Sequence, residues 1–155
     1  MRRVWIGVAA AGLMGCASAR PAATAAHEDE IRGALARWND AAARGDLPAF
    51  MAQFDDVPDL LLVGSDKGEV FRGRAAIEGW LSRLFKGARF SWTIDRADVG
   101  GAGDVAWVFV EGAMNVTDKA GKPRGSTPYR FSGVLVRRDG GWAWRQWHGA
   151  IPRAE

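Results

Sequence analysis

"RFSGVLVRRDGGWAWRQWHGAIP", residues 130–152, decides the architecture. Two runs rich in β-branched and aromatic residues flank Asp139-Gly140-Gly141, a sequence with turn chemistry, so the stretch predicts a closing β-hairpin. With those three residues as the loop, His148 faces Ser132, Gln146 faces Val134 and Arg130 faces Ala150. Successive side chains of a strand point to opposite faces. Trp142, Trp144, Gln146, His148 and Ala150 are therefore expected on one side, with Arg145 and Trp147 on the other. Three of the eight tryptophans lie in this one strand, beside one of only two histidines.

Upstream, Phe90, Trp92 and Ile94 alternate with Arg89, Ser91, Thr93 and Asp95, the period of a half-buried strand. "VGGAGD" (99–104) reads as a turn, 105–116 as a long apolar strand, and 117–127 as a polar loop. A strand over 128–138 starts at Pro128, a position where proline is tolerated. Nearer the N-terminus the period becomes helical. Ile31, Leu35, Trp38 and Ala42 share one helix face, Gly45 stops that helix, and Asp46 caps a second with Pro48 in its first turn. Phe50, Met51 and Phe54 form the second helix's apolar side. "DLLLV" (59–63) is a short buried strand, "GSDKG" (64–68) a turn and 69–72 a return strand. A third helix over 73–86 carries Ile77, Trp80, Leu81, Leu84 and Phe85 on one stripe, with Gly87 as the residue that ends it. Helices first and long strands last predict an α+β domain, with three N-terminal helices packed on a curved, mostly antiparallel sheet.

The 155 residues suffice for one domain, and 48% hydrophobic with 25% charged residues is ordinary globular composition. The formal charge of +3 includes Arg2 and Arg3, which fall in a leader. The remaining positive charge is dispersed, without the basic stripe that nucleic-acid binding requires. "MRRVWIGVAAAGLMGC" has a positive start, an apolar run too short to span a membrane, and a cysteine at its end. It resembles the lipoprotein signals of bacteria, which are cut before a cysteine that is then lipidated. Residues 1–15 are expected to be the signal, Cys16 the lipidated residue, 16–27 a flexible tether, and 28–152 the folded domain. Ala17 after the cysteine favours the outer membrane, facing the periplasm.

Three phrases together resemble the SnoaL-like and nuclear transport factor 2-like families, which include ketosteroid isomerase: "ALARWNDAAARGDLPAFMAQF", "LLVGSDKGEVFRGRAAI" and the closing hairpin. The resemblance implies a cone-shaped fold with an internal cavity. It does not imply one chemistry, because this fold hosts enzymes and binding modules alike. The isomerase's tyrosine corresponds here to Trp38, its basic aspartate to Leu62 or Val63, and its neutral acid falls near Ser132. None of the three residue types is matched, which leaves steroid-type proton transfer without its residues.

On this basis one cavity wall is expected to carry Arg130, Ser132, Trp144, Gln146 and His148. Trp38 adds to it, and Phe54 and Trp80 close its apolar end. No catalytic residue is assigned. The best candidate is His148, which as a base needs a carboxylate partner, and Glu111 is the nearest guess. His27 lies in the tether and His148 stands alone, so no metal site is expected. Gly100-Gly101 and Gly140-Gly141 are turn glycines rather than phosphate loops, and no cofactor is expected. The expected function is binding of a small apolar or amphipathic ligand in the cone. The alternatives are an acid–base enzyme (isomerase, dehydratase or hydrolase) using His148 with Arg130, or a module that homodimerises through an outer sheet face bearing Trp107, Phe109 and Trp147.

Overall fold

The computed structural model describes residues 25–139 and 141–153. The signal, Cys16 and most of the tether lie outside them. Helix α1 (Ala25–Arg44) begins inside the stretch expected to be tether. It buries Ile31, Leu35, Trp38 and Ala42, the face predicted from their spacing. Gly45 ends it with a left-handed φ of 64°, a conformation that glycine adopts without steric cost. Helix α2 (Leu47–Met51) is capped by Asp46, whose carboxylate accepts from the Ala49 amide at 3.0 Å.

A short pair, β1 (Leu61–Val63) and β2 (Val70–Arg72), precedes helix α3 (Arg74–Gly87). Gly87 is the last residue of α3 rather than the one beyond it. The chain leaves through Ala88 in extended conformation, so no left-handed glycine is needed. Four long strands follow: β3 (Arg89–Ala102), β4 (Val105–Thr117), β5 (Pro123–Arg138) and β6 (Gly141–Ala150). The turn expected over 99–104 shrinks to Gly103-Asp104, because pairing continues to Ala102 and Val105. The polar loop shrinks likewise. Asp118 closes a tight turn by accepting from the Ala120 and Lys122 amides at 2.9 Å, and β5 starts at Pro123. Pro128 therefore lies within β5, not at its start. It is tolerated there because β6 ends opposite Arg130, which leaves β5 a free edge on that side.

The six strands form one sheet in the order β2-β1-β6-β5-β4-β3, antiparallel throughout except for β1 beside β6. The helices pack on its inner face, and the core gathers between them. Two polar clamps fix this arrangement. Asn39 of α1 donates to the Trp92 carbonyl and accepts from the Trp92 amide, both at 2.8 Å. In this way a side chain pairs with the free edge of β3. At the other end Glu30 accepts from the Trp142 indole at 3.1 Å and from Arg137, whose guanidinium lies 4.7 Å over the Trp142 ring.

The hairpin departs from regular pairing at one place. Arg130↔Ala150, Ser132↔His148 and Val134↔Gln146 pair as expected, but Leu135 then faces Trp144 and leaves Arg145 as an extra residue, a β-bulge. The bulge is held from outside the sheet. The Arg145 Nε donates to buried Asp55 at 2.7 Å, and Arg138 grips the same carboxylate with two bonds of 2.9 and 2.7 Å. Asp55 also bonds its own amide to the Trp144 carbonyl, at 2.8 Å. Burial alone would raise the Asp55 carboxyl, but the hydrogen bonds and charge of Arg138 and Arg145 outweigh it and hold the group below the usual aspartate range.

Candidate functional site

The bulge decides which side chains enter the cone. Because one residue is inserted at Arg145, Trp142 and Trp144 point inward on one side of it, and Trp147 and Gly149 point inward on the other. His148 is turned to the exposed outer face. Gln146 and Ala150 share that outward parity, as do their neighbours Ser132 and Arg130 on β5. The expectation that Arg130, Ser132, Gln146 and His148 line one cavity wall is thus corrected: they lie on the opposite side of the sheet. Glu111 is also exposed on that outer side and faces Arg130 across the strands. Among the described residues neither a hydrogen bond nor an ion pair joins it to His148.

The inner side forms a half-open cavity of about 210 Å³. Trp38, Phe54 and Trp80 line it, three of the eight positions expected there. Trp144 is buried behind the wall, packed edge-on to Trp38 at 5.9 Å. The rest of the wall is built from residues outside the expected set. Trp92 of β3 stacks on Trp38 at 4.4 Å, and Trp147 approaches both rings at 6.0 and 6.4 Å. Tyr129, the only tyrosine in the chain, lies parallel to Trp147 at 6.4 Å. Leu62, Phe85, Phe90 and Met114 add to the apolar lining, while Gly64, Ser65, Asp66 and Glu69 of the β1–β2 turn form its polar part.

Close approach of these rings depends on missing side chains. The Tyr129 hydroxyl and the Trp147 ring occupy the space where Gly149 would carry a Cβ, and the Trp144 ring does the same over Gly133. Burial pushes the Tyr129 phenol up to about 12, and the Asp66 and Glu69 charges add to this against a hydrogen bond with Ser65, so the hydroxyl stays neutral.

The tryptophan trio has an unusual property. The indole N–H groups of Trp38, Trp92 and Trp147 are all buried, and none has a hydrogen-bond partner among the described residues. An unmet buried donor costs about 1–3 kcal/mol relative to a bonded one. All three belong to rings that line the cavity, but the nitrogens themselves are sealed within the packing around it. No third carboxylate accompanies Asp66 and Glu69 among the lining residues, and Leu62 occupies the inward place on β1. Among the described residues no group of three His, Cys, Asp or Glu side chains is placed to hold a metal ion.

The sequence pattern of the SnoaL-like domain matches residues 31–154, nearly all of the folded part. The chain belongs to the SnoaL-like domain family. No curated protein matches it. Among solved structures it is similar to a nuclear transport factor 2-like superfamily protein from Salmonella enterica serovar Typhimurium, at 17% identity over 84% of this chain and 94% of that one, with a TM-score of 0.72. A nuclear transport factor 2-like protein of unknown function from Pseudomonas putida KT2440 gives 21% identity, 83% and 89% coverage and a TM-score of 0.69. A Streptomyces avermitilis protein of the same family, whose name suggests a dehydratase, gives 18% identity, 81% and 96% coverage and 0.70. These likenesses establish the cone-shaped fold.

Proposed function

We propose that the domain binds a small, largely apolar molecule in its cone, and that Cys16 anchors it by lipid in the bacterial envelope. The observation that carries the binding reading is the cavity itself, walled by Trp38, Trp92, Trp147 and Tyr129. A dry apolar cavity of roughly 150 Å³ accepts one benzene-sized molecule, so about 210 Å³ suits a single substituted ring. His148 facing outward counts against the acid–base alternative with Arg130. Calorimetric titration with acetophenone, a ring bearing one carbonyl, tests the reading. One saturable site is expected in the wild type, abolished when Met114→Trp fills the cavity edge. Absence of binding to the folded wild type contradicts it. For the anchor, incorporation of labelled palmitate that disappears in Cys16→Ala is expected, and incorporation that survives the change contradicts it.

A second reading, self-association, is favoured by the outer sheet face. Trp107 is 52% exposed there, and its row continues through Val134 and Gln146 to Leu61. Trp147, expected on this face, lies inside. A large apolar patch on a sheet commonly marks an interface. Sedimentation of the protein without its leader is expected to give a dimer, reduced to monomer by Trp107→Lys. A wild-type monomer at high concentration contradicts it.

A further inference from the structure

The charge of the cavity is one-sided. Its lining has two carboxylates, Asp66 and Glu69, and contains no lysine, arginine or histidine. Both belong to the β1–β2 turn at the mouth of the cone, where Asp66 is exposed and Glu69 half-buried. The Glu69 carboxylate accepts from the Asp66 amide at 3.1 Å, which orders the turn. Among the described residues neither carboxylate is in a salt bridge with a lysine or arginine. The rest of the wall is aromatic, and aromatic faces attract cations through the ring quadrupole, tryptophan most strongly. Trp38, Trp92, Trp147 and Tyr129 therefore act in the same sense as the two carboxylates. The phenol of Tyr129, kept neutral in this surrounding, adds no charge of its own.

We infer that the cavity selects organic cations: an apolar or aromatic body sits among the tryptophans, with a substituted ammonium held toward Asp66 and Glu69. The inference rests on the binding reading above and adds the ligand's charge. An anion in the same place would meet two like charges and the negative faces of the rings, with no cationic side chain to receive it. A neutral molecule of equal shape would gain the burial but not the electrostatic attraction.

Three probes of similar shape separate these terms: phenyltrimethylammonium, its uncharged carbon analogue tert-butylbenzene, and the anion phenylacetate. Binding is measured by calorimetry to the wild type and to the double variant Asp66→Asn/Glu69→Gln, both confirmed as folded by circular dichroism. The cation is expected to bind at least as tightly as tert-butylbenzene despite its greater hydration, and phenylacetate is expected not to bind. In the variant the cation should weaken about tenfold while tert-butylbenzene stays unchanged. If tert-butylbenzene binds more tightly than the cation in the wild type and the variant alters neither, the charge selection is wrong while the cavity reading stands. If none of the three binds, both fall.

Discussion

The two faces of the β5–β6 hairpin differ more than any other neighbouring regions of the molecule. The inner face holds Trp144, Trp147, Tyr129 and Phe131, all buried, around a cavity without a basic group. The outer face holds His148, Ser132, Arg130 and Gln146, the side chains with familiar catalytic chemistry, over a sheet surface with exposed Trp107. Adjacent residues thus have opposite fates. Trp147 is 4% exposed in the core, and His148 lies outside. Catalytic residue types in the sequence say little until the parity of their strand is known.

The comparison is sharpest when these two neighbours are changed separately. Trp147→Ala removes a large core ring that packs on Trp38, Phe131 and Tyr129. It should cost about 3–5 kcal/mol in urea unfolding. A loss below about 1 kcal/mol would mean that Trp147 is not a core residue.

The next test strikes the device that sets the parity. Asp55 is 5% exposed and receives both Arg138 and Arg145. Asp55→Ala leaves Arg138 without its acid partner and Arg145 with only Asp59, 3.7 Å away, and should cost about 3 kcal/mol, the low end for a broken buried pair because both arginines can rehydrate. The folded-state pKa of Asp55 is depressed. Its stabilisation is therefore fully present above the ordinary aspartate value and is lost as pH falls from there through the folded pKa. Asp55→Asn should flatten the acid limb of stability against pH. An unchanged limb would remove Asp55 from the account.

Smaller effects follow from the edge clamp and the outer face. Asn39→Ala strips both partners from the Trp92 backbone and should cost about 1–3 kcal/mol, read from the urea midpoint. His148→Ala should change stability by no more than about 0.5 kcal/mol and leave acetophenone affinity intact. A tenfold loss of affinity would return His148 to the site.

Most of the fold was legible in the sequence. The α1 stripe of Ile31, Leu35, Trp38 and Ala42, the Asp46 cap and the pairing of Ser132 with His148 depend on local periodicity and turn chemistry, and those are written locally. The cavity wall was legible only in part. Trp38, Phe54 and Trp80 lie on helices, whose faces follow from spacing. On β6 simple alternation from Trp142 does not reach Ala150, because one residue is inserted at Arg145. The bulge depends on Asp55, ninety positions before Arg145 in the chain, and nothing near Arg145 announces it. One signal was available. On β5 the set Tyr129, Phe131 and Leu135 is more apolar than Arg130 and Ser132. That parity, combined with the pairing of Phe131 with Gly149 and Gly133 with Trp147, places Trp147 inside. The acidic turn at Asp66 and Glu69 carried no periodic signal, because its role arises only from where β1 and β2 end.

The central claim is that the inner face, not the outer, receives the ligand. It is tested most directly by assigning the backbone amide and indole N–H signals in ¹H–¹⁵N spectra and adding acetophenone. The account predicts saturable shifts at Trp38, Trp92 and Trp147, the three unpartnered donors, with Trp107 and His148 unmoved. Shifts confined to Trp107 or His148, with the inner three silent, would contradict it.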